Sequence, residues 1–171
     1  VKEWLNQLMS PEMKVTRSPR SFNSQIGVPL SVWLLDKQTK LGIFEAGISQ
    51  PGEMLALRDI IQPTIAVLTN LGAAHQENFT SVEDKAGEKS ILFHDAKTIV
   101  YPCDDEAVSS VVASMNYGGE KLCWSTKDHH APMFVKSIEK KDTATTITYI
   151  YNSGQENWYS IPFIDNASIT C

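Results

Sequence analysis

The stretch IAVLTNLGAAHQENFTSVEDKAGEKSILF, residues 65–93, decides the fold of this chain. It runs from an apolar strand, through a loop that carries His75, into a helix that carries Lys89. The residues that recur at the spacing of one helix face are Val82, Ala86, Lys89 and Phe93. A lysine on a stripe that faces the core either extends its ammonium group to water or takes part in chemistry.

Strands and helices alternate on both sides of this stretch, as far as about residue 125. Short apolar runs predict strands at residues 41–45, 65–69, 98–101 and 121–124. The first two are nearly all apolar, which is typical of strands that are buried on both faces. Helices are expected at residues 1–9, 26–35, 53–61, 82–93 and 104–115, the last capped by Asp104. This alternation is typical of a parallel sheet with helices on both faces.

After residue 125 the pattern changes to segments that alternate polar and apolar residues. They lie at residues 133–139, 145–151 and 158–163 and are separated by turn signals. Such a pattern predicts an antiparallel meander of three strands. We therefore predict an α/β fold with a mostly parallel sheet over residues 1–125 and antiparallel strands over residues 126–171.

Length and composition restrict the function classes. A chain of 171 residues fits one domain, and a net charge of −5 without a basic stripe argues against a nucleic-acid partner. We see no apolar run long enough to span a membrane and no signal peptide. Cys103, Cys123 and Cys171 show no metal-ligand spacing, so we expect packing residues in a reducing cytosol.

Three residues are candidates for chemistry. Glu45 ends a predicted strand, His75 follows the next one, and Lys89 joins them if its helix packs alongside. Ligands of open parallel sheets bind at the carboxyl ends of the strands, so the three side chains could form a metal and phosphate site. The alternatives are a solvated or capping glutamate, a surface histidine and a lysine that reaches water.

Desolvation gives Lys89 a further possibility. Burial disfavours the ammonium form and lowers the pKa of a lysine. A neutral amine can react with carbon dioxide to give a carbamate, which is an oxygen ligand suited to Mg²⁺. The sequence contains neither G-x-x-x-x-G-K-[ST] nor G-x-G-x-x-G, so a phosphate cradle for ATP would have to come from elsewhere.

Four segments together resemble the central, ATP-binding domain of the Mur ligase family. They are FNSQIGVPL at residues 22–30, FEAG at 44–47, TNLGAAH at 69–75 and KSILF at 89–93. Their order and spacing agree with that domain over about residues 1–125. They are most similar to the branch that joins D-alanyl-D-alanine to UDP-N-acetylmuramoyl-tripeptide. The amino-acid sequence around these segments also resembles the Bacteroidetes form of the family, in which an alanine racemase is often fused to the ligase.

The resemblance implies a role for each matching residue. Glu45 corresponds to the carboxylate that binds a first Mg²⁺, and His75 to a ligand of a second. Lys89 corresponds to the lysine that becomes carbamylated, with Lys85 as a competitor that we expect at the edge of the stripe. Asn23 and Ser24 correspond to the substrate-facing loop, or they simply cap a helix. Asn70 is expected to contact nucleotide or to orient the His75 loop.

The implied activity is ATP- and Mg²⁺-dependent amide formation in cytoplasmic peptidoglycan synthesis, through an acyl phosphate. We expect the partners to be UDP-N-acetylmuramoyl-tripeptide, D-alanyl-D-alanine and the N- and C-terminal domains of the same ligase. The chain opens inside a helix just after the place of the family's P-loop, so we expect a central-domain fragment that is inactive alone. The alternatives are another Mur ligase, a folylpolyglutamate synthase-like ligase, or a non-catalytic scaffold module of the same fold.

Overall fold

The structure is a computed structural model that describes residues 1–72 and 74–169. Ala73, within the TNLGAAH segment, and Cys171, expected to be a packing residue, lie outside the described residues. The helices are α1 (Lys2–Met9), α2 (Gly27–Val32), α3 (Glu53–Ile61), α4 (Val82–Ser90), α5 (Glu106–Ser114) and α6 (Asn166–Ile169). The strands are β1 (Val15–Arg17), β2 (Leu41–Ile43), β3 (Ile65–Val67), β4 (Thr98–Pro102), β5 (Glu120–Ser125), β6 (Met133–Lys141), β7 (Ala144–Tyr151) and β8 (Glu156–Ile161). None of the helices in the described ranges is long and apolar enough to cross a membrane.

The chain folds into two compact units, and the first contains Val1–Pro63 and Ala74–Asp95. Strands β1 and β2 pair in parallel in this unit, with Thr16 opposite Gly42. Helix α3 places its apolar face in the core, as its spacing predicts. The buried core cluster consists of Val28, Ile48, Met54, Leu57 and Phe79. Through Ile48 and Phe79 this cluster joins α2 and α3 to the loop that follows β2 and to the loop that carries His75.

The second unit contains the described residues of 64–73 and 96–171. Its six strands form one sheet in the order β3-β4-β5-β6-β7-β8. The pairs from β3 to β6 are parallel, whereas β6-β7 and β7-β8 are antiparallel. Ile99 of β4 and Val108 and Val112 of α5 are almost completely buried in this unit. The predicted α/β class, with parallel strands first and an antiparallel meander last, is confirmed.

The expectation that the strands near residues 41 and 65 are buried on both faces is wrong. In β2 the residues Leu41 and Ile43 are half-buried. In β3 only Ala66 is buried, and Ile65 and Val67 are 59% and 43% exposed. Side chains alternate between the two faces of a strand, so Ile65 and Val67 share the exposed face of β3 and Ala66 lies on the buried one.

The predicted cap of α5 is also wrong by one residue. The carboxylate of Asp105 accepts the hydrogen bond of the Val108 amide, at 3.2 Å, and so caps the helix. Asp104 accepts hydrogen bonds from the hydroxyl of Ser125 and from the amide of Thr126 instead. Two adjacent aspartates offer the same capping chemistry, and the position of β5 decides between them.

Two of the cysteines are not the packing thiols that we expected. Cys103 and Cys123 form a disulfide, with their Cα atoms 5.5 Å apart. They are 20 residues apart in sequence, but Cys103 directly follows β4, and its amide donates at 3.0 Å to the carbonyl oxygen of Trp124, the residue after Cys123 in β5. Strand pairing, rather than sequence spacing, therefore creates this bond.

Candidate functional site

Helix α4 carries both candidate lysines. It begins after Ser81, whose hydroxyl accepts a hydrogen bond from the amide of Asp84 at 3.0 Å. Glu83 and Asp84 also place negative charge at the amino end of the helix, where it is favourable. Residues four apart lie one turn apart on the same side of a helix, so Lys85 and Lys89 are neighbours.

The buried face of α4 differs from the predicted stripe. Lys85 is only 2% exposed and Ala86 is completely buried, whereas Val82 is 44% exposed. Lys89 is half-buried. The expectation that Lys85 lies at the edge of the stripe is therefore wrong, because the packed face of the helix centres on Lys85 and Ala86. Spacing in the sequence could not reveal that Lys85 is buried, because the apolar Val82 made the neighbouring face of the helix look like the core face.

The environment of Lys89 favours its neutral form. Desolvation by the surrounding protein lowers the pKa of Lys89, and the positive charge of Lys85 one turn away lowers it further. At a given pH a larger fraction of its side chain is therefore an unprotonated amine than in a surface lysine. An unprotonated amine is the form that acts as a nucleophile.

His75 lies in a loop that side-chain hydrogen bonds hold in place on both sides of it. Its backbone is left-handed, with φ 60° and ψ 18°, and its side chain is exposed. On one side the Nζ of Lys85 donates a hydrogen bond of 2.6 Å to the carbonyl oxygen of Ala74. On the other side the Nδ2 of Asn78 donates to the carbonyl oxygen of Ser49, at 2.9 Å. The second bond joins the His75 loop to the loop that follows β2.

Glu45 begins that second loop and is held by Asn23. The Nδ2 of Asn23 donates to Oε1 of Glu45 at 2.9 Å, and the amide of Glu45 donates to the hydroxyl of Ser18 at 3.2 Å. Gly47 is packed against Asn23, since a Cβ on Gly47 would lie 3.0 Å from Cγ of Asn23. The glycine of the FEAG segment therefore leaves room for the side chain that orients the glutamate.

The two other predicted residues differ in their surroundings. The hydroxyl of Ser24 accepts a hydrogen bond from the amide of Gly27 at 3.3 Å, which is the capping role offered as the alternative for this residue. Asn70 is exposed and belongs to the second unit. Glu45, His75, Lys89, Asn23 and Ser24 all belong to the first unit.

Sequence reasoning did not identify Glu53. Its carboxylate accepts hydrogen bonds from the backbone amides of Ser49, at 2.6 Å, and Gln50, at 3.0 Å. These bonds lower the pKa of Glu53, and the nearby charge of His75 adds to the effect. Glu53 therefore orders the loop after β2 and lies within electrostatic reach of the imidazole. The only signal in the sequence is an acidic residue in the first turn of a predicted helix, where negative charge is favourable.

The structure places the five candidate residues of the first unit in three loops and on helix α4, and side-chain hydrogen bonds join these segments. Over residues 1–72 and 74–169 it does not gather three or more histidine, cysteine or acidic side chains into one metal-binding cluster. A cavity of 260 Å³ in the first unit is lined by other residues, namely Pro51, Asn78, Phe79, Thr80, Asp84 and Glu88.

Fold and site together define an α/β domain whose polar side chains gather in the loops that follow its parallel strands. The model of the family described as "Mur ligase middle domain" matches residues 1–169 of this chain. The chain belongs to the Mur ligase middle-domain family.

Similar proteins carry more specific names. The UDP-N-acetylmuramoyl-tripeptide–D-alanyl-D-alanine ligase of Treponema pallidum is 36% identical over 93 residues, which cover 54% of this chain and 20% of that relative. The crystal structure of MurF from Acinetobacter baumannii covers 99% of this chain with a TM-score of 0.87 and 19% identity, over 37% of its own length. MurF from Thermotoga maritima in complex with ADP gives a TM-score of 0.81 and 22% identity, over 39% of its length. The chain thus spans between a fifth and two fifths of these proteins.

Proposed function

We propose that this chain is the central domain of a cytoplasmic ligase that joins D-alanyl-D-alanine to UDP-N-acetylmuramoyl-tripeptide. Family membership and the name of the Treponema pallidum relative support the substrates. The observation that carries the proposal is the half-buried Lys89, with its lowered pKa, on a helix that fastens the His75 loop. A scaffold module would need neither a desolvated amine nor a histidine loop hydrogen-bonded to the same helix.

The donor set fits Mg²⁺ if Lys89 is carbamylated. Glu45 would hold one ion through its carboxylate, which Asn23 orients, and His75 and Lys89 would hold another. Mg²⁺ prefers oxygen ligands, and a carbamate supplies two oxygens where an amine supplies none. When bound, Mg²⁺ and ATP would supply charge neutralisation and the transferable phosphoryl group. We keep Asn70 as a proposed nucleotide contact.

Carbamylation needs only carbon dioxide. The lone pair of the neutral Nζ of Lys89 attacks the carbon, a nitrogen–carbon bond forms, and one proton leaves to solvent. The product carries one negative charge on its two oxygens. Lys85 does not compete in this proposal, because its Nζ is engaged as a donor to the carbonyl oxygen of Ala74.

In the proposed reaction the terminal carboxylate of the tripeptide attacks the γ-phosphate of ATP, and ADP leaves. The amine of D-alanyl-D-alanine then attacks the acyl phosphate, and inorganic phosphate leaves as the amide forms. This chain would position charge around the phosphates, which is how phosphoryl transfer is mainly catalysed. The phosphate cradle and the two flanking domains would belong to the longer ligase.

The first experiment measures phosphate release by the longer ligase that contains this chain. UDP-N-acetylmuramoyl-tripeptide and Mg²⁺-ATP are supplied with and without D-alanyl-D-alanine. We expect release that depends on the dipeptide. Release that depends on a different amino acid would assign the chain to a sister ligase, and no nucleotide turnover would favour a scaffold.

Substitution of Lys89 tests the carbamate. We expect Lys89→Ala to reduce ligation by at least about a hundredfold, the scale on which loss of a residue supporting transition-state charge acts. A short carboxylate such as acetate should restore part of the activity by replacing the missing oxygens. Lys97→Ala is the matched control, because Lys97 is exposed. Unchanged turnover of Lys89→Ala would remove Lys89 from the site.

A further inference from the structure

Lys85 is a buried lysine for which the proposed reaction has no direct use. It is 2% exposed and is one of the largest almost completely buried side chains in the described residues. An ammonium group is costly to bury unless hydrogen bonds replace its water. Its Nζ lies 2.6 Å from the carbonyl oxygen of Ala74, the short distance of a charge-assisted hydrogen bond.

The acceptor of this bond lies next to a candidate metal ligand. Ala74 immediately precedes His75, whose left-handed backbone is unfavourable for a residue with a side chain. Such a conformation persists only where the surroundings fix it. The bond from Lys85 fixes the loop before His75, and the bond from Asn78 to Ser49 fixes it afterwards.

We propose that Lys85 is a positioning residue, whose ammonium group holds the carbonyl of Ala74 so that the imidazole of His75 is presented in its binding orientation. The inference rests on the proposed role of His75 as a metal ligand. Helix α4 then has two roles in the site, because it carries Lys89 and also orients His75 through Lys85. Groups that orient a metal ligand commonly change metal affinity by about 10- to 100-fold when they are removed.

The test uses Lys85→Met in the longer ligase that contains this chain. Methionine keeps an unbranched apolar stem in the core and removes the donor. The amide of Asn78 donates to the carbonyl oxygen of His75, and that of Phe79 to Gln76, so both report on the loop. We expect hydrogen–deuterium exchange at residues 78 and 79 to accelerate by about tenfold or more as local opening becomes easier.

A second buried lysine provides the control for exchange. Lys2 is 9% exposed, and its Nζ donates to the carbonyl oxygens of Ser18, at 2.9 Å, and Arg20. Lys2→Met should accelerate exchange near residues 18–20 and leave residues 78 and 79 unchanged. Faster exchange at residues 78 and 79 in both variants would indicate a general loss of stability and overturn the proposal.

The Mg²⁺ requirement separates positioning from mere packing. We expect Lys85→Met to raise the Mg²⁺ concentration for half-maximal ligation by about tenfold, with His75→Ala producing a similar rise and the double variant no larger one. A rise with His75→Ala but none with Lys85→Met would overturn the proposal and keep the function. No rise with His75→Ala would refute the metal role of His75, and the inference with it. If Lys85→Met does not fold, Lys85→Gln, which retains a shorter donor, should give an intermediate rise, and the absence of any rise would overturn the proposal.

Discussion

The disulfide between Cys103 and Cys123 allows a stability change to be calculated from the structure. The bond closes a loop across a sequence separation of 20 residues. A cross-link of this span removes about 11 cal/mol/K of entropy from the unfolded chain, which is about 3 kcal/mol at 25 °C. Breaking the bond leaves β4 and β5 hydrogen-bonded in parallel, so we expect the native fold to remain and its free energy of unfolding to fall by about 3 kcal/mol.

Urea denaturation of the purified protein, oxidised and reduced, measures this difference. With a slope of about 2 kcal/mol/M, the midpoint should fall by about 1.5 M when the bond is reduced. The variant with both Cys103→Ser and Cys123→Ser is the control, and its midpoint should not respond to reductant. The sequence has 3 cysteines, so the denatured oxidised protein should titrate as a single thiol. Three thiols and equal midpoints in both conditions would refute the pairing.

Two further predictions concern local structure. Gly27→Ala should destabilise the fold, because a Cβ at this position would lie 2.7 Å from Cα of Phe22. Gly87→Ala in α4 adds a Cβ that meets nothing within 4 Å, so it should stabilise the fold by about 0.4–1 kcal/mol. Thermal unfolding of both variants measures these changes, and equal shifts of the midpoint would contradict the prediction. The hydrogen bond from Lys14 lowers the pKa of Asp36 to about 2, below the usual 3.8. The stabilisation by that carboxylate is therefore fully present above the usual value and is lost as the pH falls towards 2. In an NMR titration Lys14→Met should return the pKa towards its usual value, and an unchanged titration would exclude the pairing.

Much of the fold could be predicted from apolar spacing and turn signals. Helix α3 has the predicted bounds, Glu53–Ile61, with Met54 and Leu57 buried. The three antiparallel strands also lie where the polar–apolar alternation predicts them, although in β8 every residue before Ile161 is exposed. These features depend on local periodicity, which a sequence shows directly. The burial of β2 and β3 was mispredicted, because burial depends on which strands and helices lie alongside.

The sequence predicted which residue types could form the site, but it did not predict most of the contacts between them. The half-burial of Lys89 follows the prediction that its helix turns it towards the protein. The bond from Asn23 to Glu45 links two segments 22 residues apart, and no local pattern indicates it. The same holds for Lys85 and Ala74, which are 11 residues apart. Side-chain hydrogen bonds between loops depend on the path of the backbone between them, so they appear only in three dimensions.

The sequence alone determined the order of the strands and helices between residues 26 and 163, and it placed Glu45 and His75 at the ends of strands and Lys89 on the helix that follows. Local periodicity and turn chemistry contain that information. The tertiary structure decided which lysine of α4 is buried, which aspartate caps α5 and which cysteines form a bond. In each case the sequence offers more than one residue of the same type for one role. The choice between them depends on the strand or loop that packs against them, which a sequence does not show.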